Sequence, residues 1–419
     1  MKKIMFRISI PITGLALFVA FGAQLFAQKP FPAIMPLEKG NKLSAATERL
    51  YDDWNIYGDR ANELFTNFLY SRIDGLSDDV SRRDPTKVIK VDDTYYVYYT
   101  HRKTAMPPQG RKYTDEIPST DWDLADIFYA TSKDGFTWEE KGVAVARPPK
   151  GEYGWRSLST PGVLIWKGKY YIYFQAFNEA PAAISDRADV RIAWSDSPDG
   201  PFEIVKNEII SFGKEGEWDA KVIHDPCPIV YKGKIYVYYK SQNFSLRDKR
   251  DVVLEIGAGV AIADDPLGPY KKSPLNPVLN SGHEACMFPF KGGVAAFVSL
   301  NGPEKNTIQW SPDGLNFQIA SHVIMAPIAP APYVPDAFTD TKDGRGVAWG
   351  LCHVSKTDKP GEKENMLIRF DCDLSQDIND EVFKFKKFLY GIRFGKSVYL
   401  DGSLALPEFV KKKKLSGEK

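Results

Sequence analysis

The stretch Asp219–Lys240, DAKVIHDPCPIVYKGKIYVYYK, contains the plan of the whole chain in one copy. An acidic dipeptide, Asp225-Pro226, opens an apolar run. A Lys-Gly-Lys turn then reverses the chain into an aromatic segment. Short apolar runs bounded by Pro and Gly read as strands, and a tight turn containing Gly joins them as a hairpin. His224 stands directly before the acid. A hairpin with one polar group at its entrance is the unit from which the fold follows.

That unit recurs from Arg82 onward. Its first copy starts at Asp84-Pro85 and continues VIKVDDTYYVYYTH, and the second starts near Thr160-Pro161 with VLIWKGKYYIYFQA. The third is the quoted stretch. The fourth begins at His283-Glu284, with MFPFKGGVAAFVSLNG. The fifth and most degenerate lies around Pro335-Asp336, with AFTDTKDGRGVAWGLCHV. A second pair of strands follows each copy, with turns such as Asp134-Gly135, Asp199-Gly200 and Asp313-Gly314. Four strands per unit and five units predict an all-β, five-bladed β-propeller over residues 79–405. Radial repetition brings the start of each innermost strand to the axis. Asp84, Thr160, Asp225, His283/Glu284 and Asp336 are therefore expected around one funnel.

The N-terminus is different. Lys2, Lys3 and Arg7 precede an apolar segment ending in small residues at Ala23 and Ala27, the pattern of a secretory leader over residues 1–27. Its removal takes away those three cations and leaves a net charge of −2. Such a balance disfavours electrostatic capture of nucleic acid, and nothing membrane-bound is expected once the leader is gone. The expectation is an exported protein, periplasmic or secreted. Residues 28–78 read as a Pro-rich arm and a helix-turn-helix extension. Ser44 can cap a first helix bearing Ala46, Leu50 and Trp54 on one face, and Asp59 a second bearing Ala61, Leu64, Phe65 and Phe68. Those apolar faces need a partner, either the propeller or a second subunit. Residues 406–419 read as a basic tail.

Chemistry points to the axis. Hydrolysing a glycosidic bond needs one group to deprotonate water and another to protonate the departing oxygen. Asp84, Asp225 and Glu284 bring three acids from three blades, and His224 and His283 each adjoin one of them. An inverting pair of such groups is about 6.5–9.5 Å apart, so about 5 Å between Asp84 and Glu284 would count against inversion. Trp122, Trp155 and Trp218 sit in loop-like contexts suited either to stacking on a sugar or to core packing. The four cysteines show no CxxC or CxxH spacing. No cofactor is demanded, although the acid ring is compatible with an axial divalent cation.

The SxAxxR pattern at Ser44–Arg49, together with RRDPTKVI, HDPCPIVYKG and SGHEACMFPF, resembles glycoside hydrolase family 117 over essentially the whole mature chain. The resemblance implies an exo-acting, inverting α-1,3-(3,6-anhydro-L-galactosidase), or neoagarooligosaccharide hydrolase, used in agar breakdown. It further implies Asp84 as the base that activates water and His283 as the acid. Asp225 and Glu284 would shape its charge or bind substrate. Trp122, Thr160, Gln175 and His224 would bind sugar, and the SxAxxR helices would join a homodimer. Two alternatives stay open. One is a furanosidase of the arabinanase or xylosidase type, with Glu284 as acid, Asp84 as base and Asp225 tuning the pair. The other is a sugar-binding propeller without catalysis.

Overall fold

The computed structural model describes residues 42–51 and 68–372, apart from residues 78, 104–105, 243–253, 255, 324, 336, 340–343, 345 and 356–363. Five antiparallel sheets make up the expected propeller. The first blade takes its inner edge from Ser81–Arg83 and Ile89–Val91, followed by Thr94–Arg102, Asp126–Ser132 and Trp138–Val145. In the second, Ser157–Trp166 lies innermost, then Lys169–Phe177, Asp189–Ser195 and Glu203–Ile204. The third runs His224–Tyr231, Lys234–Gln242, Ile256–Ala263 and Lys271–Lys272, and the fourth Cys286–Phe290, Gly293–Val298, Thr307–Ser311 and Gln318–His322. The fifth combines Ala331–Pro332, Trp349–Ser355 and Asn365–Cys372 with an outer strand from the far end of the chain, Phe68–Arg72.

The hairpins form where the sequence placed them. Lys167 and Gly168, and likewise Lys232 and Gly233, all have positive φ, the backbone that tight turns require to match the strand twist. Between the blades, Tyr and Phe rings from the second strands fill the gaps. Tyr98, Tyr99, Tyr173, Phe174, Tyr238 and Tyr239 are all buried, and aromatic burial of this size dominates core energetics. Gly162 has a specific reason to be glycine. A Cβ there would lie 2.1 Å from the Pro226 carbonyl oxygen, so the inner strands of the second and third blades approach too closely for a side chain.

One N-terminal expectation is revised, at Phe68. A helix does span Ala45–Tyr51, and Ser44 caps it, its Oγ accepting from Thr47 N–H at 3.2 Å. Ser44 and Thr47 also donate to the Pro277 carbonyl at 2.6 and 2.8 Å, tying this helix to its own propeller. The second helix falls on residues outside those described, except Phe68, which instead begins a strand in register with Cys372. There Phe68 packs on Phe297 and Phe370, so its apolar side chain serves the core rather than a helix face. The leader, the arm and the basic tail also lie outside the described residues. Among the described residues no helix is long and apolar enough to cross a membrane.

Candidate active site

Each inner strand enters the axis through the same local distortion. Asp84, Thr160, Asp225, Glu284 and Ala329 have φ of 50°, 47°, 51°, 57° and 47°. All five are non-glycine residues in the left-handed region, and such residues cluster at functional sites. In four of them the next residue is proline, which cannot donate to the ladder. The strand register slips there, between Ser159 and Gly162 and between His224 and Cys227. A bulge of this kind re-aims a side chain, here toward the axis. Ala329 joins the other four along one cavity, and the expected Asp336 lies outside the described residues.

The strained amides are held by the preceding blade. Asp84 N–H donates to His353 Nδ1 at 3.1 Å, Thr160 N–H to Thr100 Oγ1 at 2.7 Å, and Asp225 N–H to Gln175 Oε1 at 2.9 Å. Glu284 N–H donates to Asp225 Oδ2 at 3.0 Å, and Lys240 Nζ lies 2.8 Å from the same oxygen. Thr100, Gln175 and Lys240 follow the aromatic run of the second strand in the first three blades, and His353 lies on the corresponding strand of the fifth.

Asp84, Asp225, His283, Glu284, Trp122, Thr160, Gln175 and His224 all line one pocket of about 370 Å³. These eight residues, all expected from the sequence, are thus in one place. Arg83, Asp186, Lys240 and Gln242 join them unannounced. Arg83 binds two acids at once, its Nε 2.8 Å from Asp84 Oδ2 and its Nη2 3.1 Å from Glu284 Oε1. Its guanidinium also lies 4.9 Å from the centre of the Trp122 ring, fixing the indole at the pocket wall. Trp155 and Trp218 play other parts: Trp155 meets Lys150, and Trp218 is buried against Tyr239. Gln175 is spent largely on the Asp225 amide, while Thr160 Oγ1 donates to Asp84 Oδ2 at 3.2 Å.

Charge at the axis is unequally compensated. Burial opposes ionisation of Asp84, but Arg83 and then His353 outweigh it and hold the carboxyl below its usual range. Burial is likewise outweighed at Asp225, where Lys240 is the main opposing charge. Glu284 goes the other way. Burial and then the Asp84 charge raise it well above the ordinary carboxylate value, which favours its protonated form. Both imidazoles are neutral: burial and then Lys240 lower His224 to about 3 and His283 to about 4. His224 Nε2–H donates to the Asp186 carbonyl at 2.6 Å. His283 has a 34% exposed side chain, with Nε2 4.0 Å from Glu284 Oε1.

Asp84, Glu284 and His353 offer ligand atoms within 4.8 Å of one another, and this group could hold a metal ion. Asp84 Oδ1 and Glu284 Oε2 are buried without a hydrogen-bond partner, which suits either an ion or a proton shared between them. Arg83 and Lys240 already neutralise two of the three carboxyls, so one proton completes the balance. The same 4.8 Å limit brings Asp84 and Glu284 much closer than an inverting pair, and those two are not the arms of an inverting reaction.

No protein-family model and no curated protein matches the chain, whereas solved structures do. Zg3597, a family 117 glycoside hydrolase produced by the marine bacterium Zobellia galactanivorans, shares 50% identity with it. The match covers 80% of this chain and 97% of that one, with a TM-score of 0.72. The chain belongs to glycoside hydrolase family 117. More distant structures share only the fold of this family 117 chain. One is described as a glycoside hydrolase, at 14% identity over 77% of this chain and 94% of its own, with a TM-score of 0.53. Another is an inulosucrase from Halalkalicoccus jeotgali bound to kestose, at 16% identity over 72% and 82%, with a TM-score of 0.50. This family 117 glycoside hydrolase therefore carries its three axial acids on a scaffold common to several sugar-active enzymes.

Proposed function

We propose that this glycoside hydrolase removes terminal 3,6-anhydro-L-galactose from neoagarooligosaccharides, cleaving the α-1,3 linkage from the chain end. The observation that carries the reading is the combination of 50% identity to a family 117 enzyme with one small pocket containing all the expected polar groups. The acids line one site, so a terminal sugar placed there meets Asp84, Glu284 and His283 together.

The roles follow from the charges. Asp84, ionised and oriented by Arg83, accepts the proton of the attacking water. The departing oxygen takes its proton from the His283–Glu284 pair: Glu284 stores it, and the more exposed imidazole passes it outward. This division supports inversion despite the short Asp84–Glu284 distance, because the delivering atom is on His283. Asp225 keeps its charge on Lys240 and orders the Glu284 backbone. Trp122 supplies a face for the sugar ring. A cation held by Asp84, Glu284 and His353 would supply fixed positive charge at the base of the pocket.

Incubation with neoagarobiose, followed by chromatography for galactose and 3,6-anhydrogalactose, tests the substrate. Release of both sugars is expected. Cleavage of arabinofuranosides with no action on neoagarobiose would replace this reading with the furanosidase one. NMR of the first-formed anomer tests the stereochemistry, and a retained anomer would make Asp84 and Glu284 themselves the reacting pair.

A further inference from the structure

Beneath the ring of acids, the axis holds a second polar cluster that hydrolysis does not use. Cys227 lies two residues beyond Asp225 on the third blade, and Cys286 two residues beyond Glu284 on the fourth. Lys87 comes from the first blade, and all three side chains are buried. Lys87 Nζ donates to Cys227 Sγ at 2.9 Å and to the Pro228 carbonyl at 3.2 Å. Met287 N–H donates to the same sulfur at 3.2 Å, and Cys286 Sγ lies 4.0 Å away.

A sulfur receiving both an ammonium and an amide N–H has the surroundings of a thiolate, the reactive form of cysteine. Burial works against that ionisation. The Cys286 hydrogen bond and the Lys87 charge outweigh it and draw the thiol down to about 5. Lys87, Cys227 and Cys286 line a cavity of about 410 Å³ together with Asp84, Asp225 and Glu284. The sulfurs therefore face the same cavity as the axial acids, and a reagent as small as a peroxide suits it. Cys352 has a contrasting environment: burial pushes its thiol up.

We propose that Lys87, Cys227 and Cys286 form a thiol modification site, at which a hydroperoxide closes a reversible disulfide between the third and fourth blades. The Cys227 thiolate attacks one peroxide oxygen. The O–O bond breaks, hydroxide leaves, and the sulfur becomes a sulfenic acid. The Cys286 thiol then attacks that sulfur, the S–O bond breaks, and water departs with the thiol proton. Two sulfurs are oxidised by two electrons, and the peroxide is reduced to water and hydroxide. Bond formation needs roughly 2 Å of closure between the sulfurs. Lys87 loses its counter-ion in the step, which gives the reduced form a reason to return.

Peptide mass mapping after treating the reduced, folded enzyme with hydrogen peroxide tests the site. The expected product joins the Cys227 and Cys286 peptides with loss of two hydrogens, and dithiothreitol separates them. Cys352 and Cys372 stay reduced. Cys286→Ser should stop the reaction at a Cys227 sulfenic acid that dimedone captures. Lys87→Met should slow Cys227 oxidation about tenfold by removing the cation that favours the thiolate. Three results would overturn the proposal: Cys227 unchanged in the wild-type enzyme, Cys352 and Cys372 oxidised equally fast, or Cys227 joined through oxygen to Lys87. The wild-type measurement decides the matter even if a variant fails to fold, with circular dichroism confirming that the treated protein keeps its strands.

Discussion

The third and fourth blades enter the axis with the same two-residue motif, histidine then acid, yet the two copies behave as opposites. At His224-Asp225 the acid has its own cation in Lys240 and stays charged, while the buried imidazole is tied to the Asp186 carbonyl. At His283-Glu284 the acid shares Arg83 with Asp84 and is pushed toward its protonated form, while the imidazole is partly exposed at the pocket. One repeat position therefore yields a fixed negative charge in one blade and a proton store in the next. What separates them is the number of cations per carboxyl.

The largest expected effect comes from removing the stored proton. Glu284→Gln should lower kcat by about 10³-fold, within the range typical of acid–base groups, while substrate still binds. Asp225→Asn should act through Glu284 instead, raising KM and altering the pH profile. Comparison of kcat and KM for the two variants separates the roles. His283→Asn should follow, with kcat lower by about 10²-fold and little change in KM. An equal loss of binding would instead make His283 a sugar contact.

Lys240→Met tests the cation count itself. The Asp225 charge would lose its main compensation and would hold the proton on Glu284 more tightly. Because that proton must be present for turnover, activity is lost as pH rises through the raised Glu284 value. The alkaline limb of the rate profile should therefore move upward by about one pH unit. An unchanged limb would assign it to some other group.

His224 gives a smaller effect, read in stability. Its folded value of about 3 lies below the ordinary 6.5, so between them the unfolded chain binds more protons than the folded one. Its contribution to stability is present above about 6.5 and is lost as pH falls toward 3. His224→Gln should flatten the fall in Tm across that window, whereas His283→Gln should do so less because its side chain is partly exposed. The smallest change is expected at Ala329→Gly, which relieves a left-handed alanine at the one axial place without chemistry. A gain of about 1 kcal/mol in urea unfolding, with turnover unchanged, would fit.

Much of this was legible in the sequence because repetition makes residues comparable. Five copies of a hairpin gave the blades, and the Asp-Pro and Thr-Pro entrances located the axis. The Ala329-Pro330 entrance was not legible, because it has no polar group to mark it. Phe68 was read as helical since its spacing from Leu64 and Phe65 fits a helix, but pairing with the last strand overrides local period. Arg83 was missed for a different reason. Its importance lies in bridging Asp84 to Glu284 from across the axis, a contact that no spacing in one blade encodes.

Phe68–Arg72 and Asn365–Cys372 close the circle from opposite ends of the described chain. During synthesis the early strand must wait, its edge unpaired, until the last blade has emerged. The pocket's contributors are spread from Arg83 to Glu284, with His353 beyond them behind Asp84, so the site is complete only when the first and fifth blades meet. Turnover is consequently a late event in the life of each molecule, and its first appearance times the joining of the two ends.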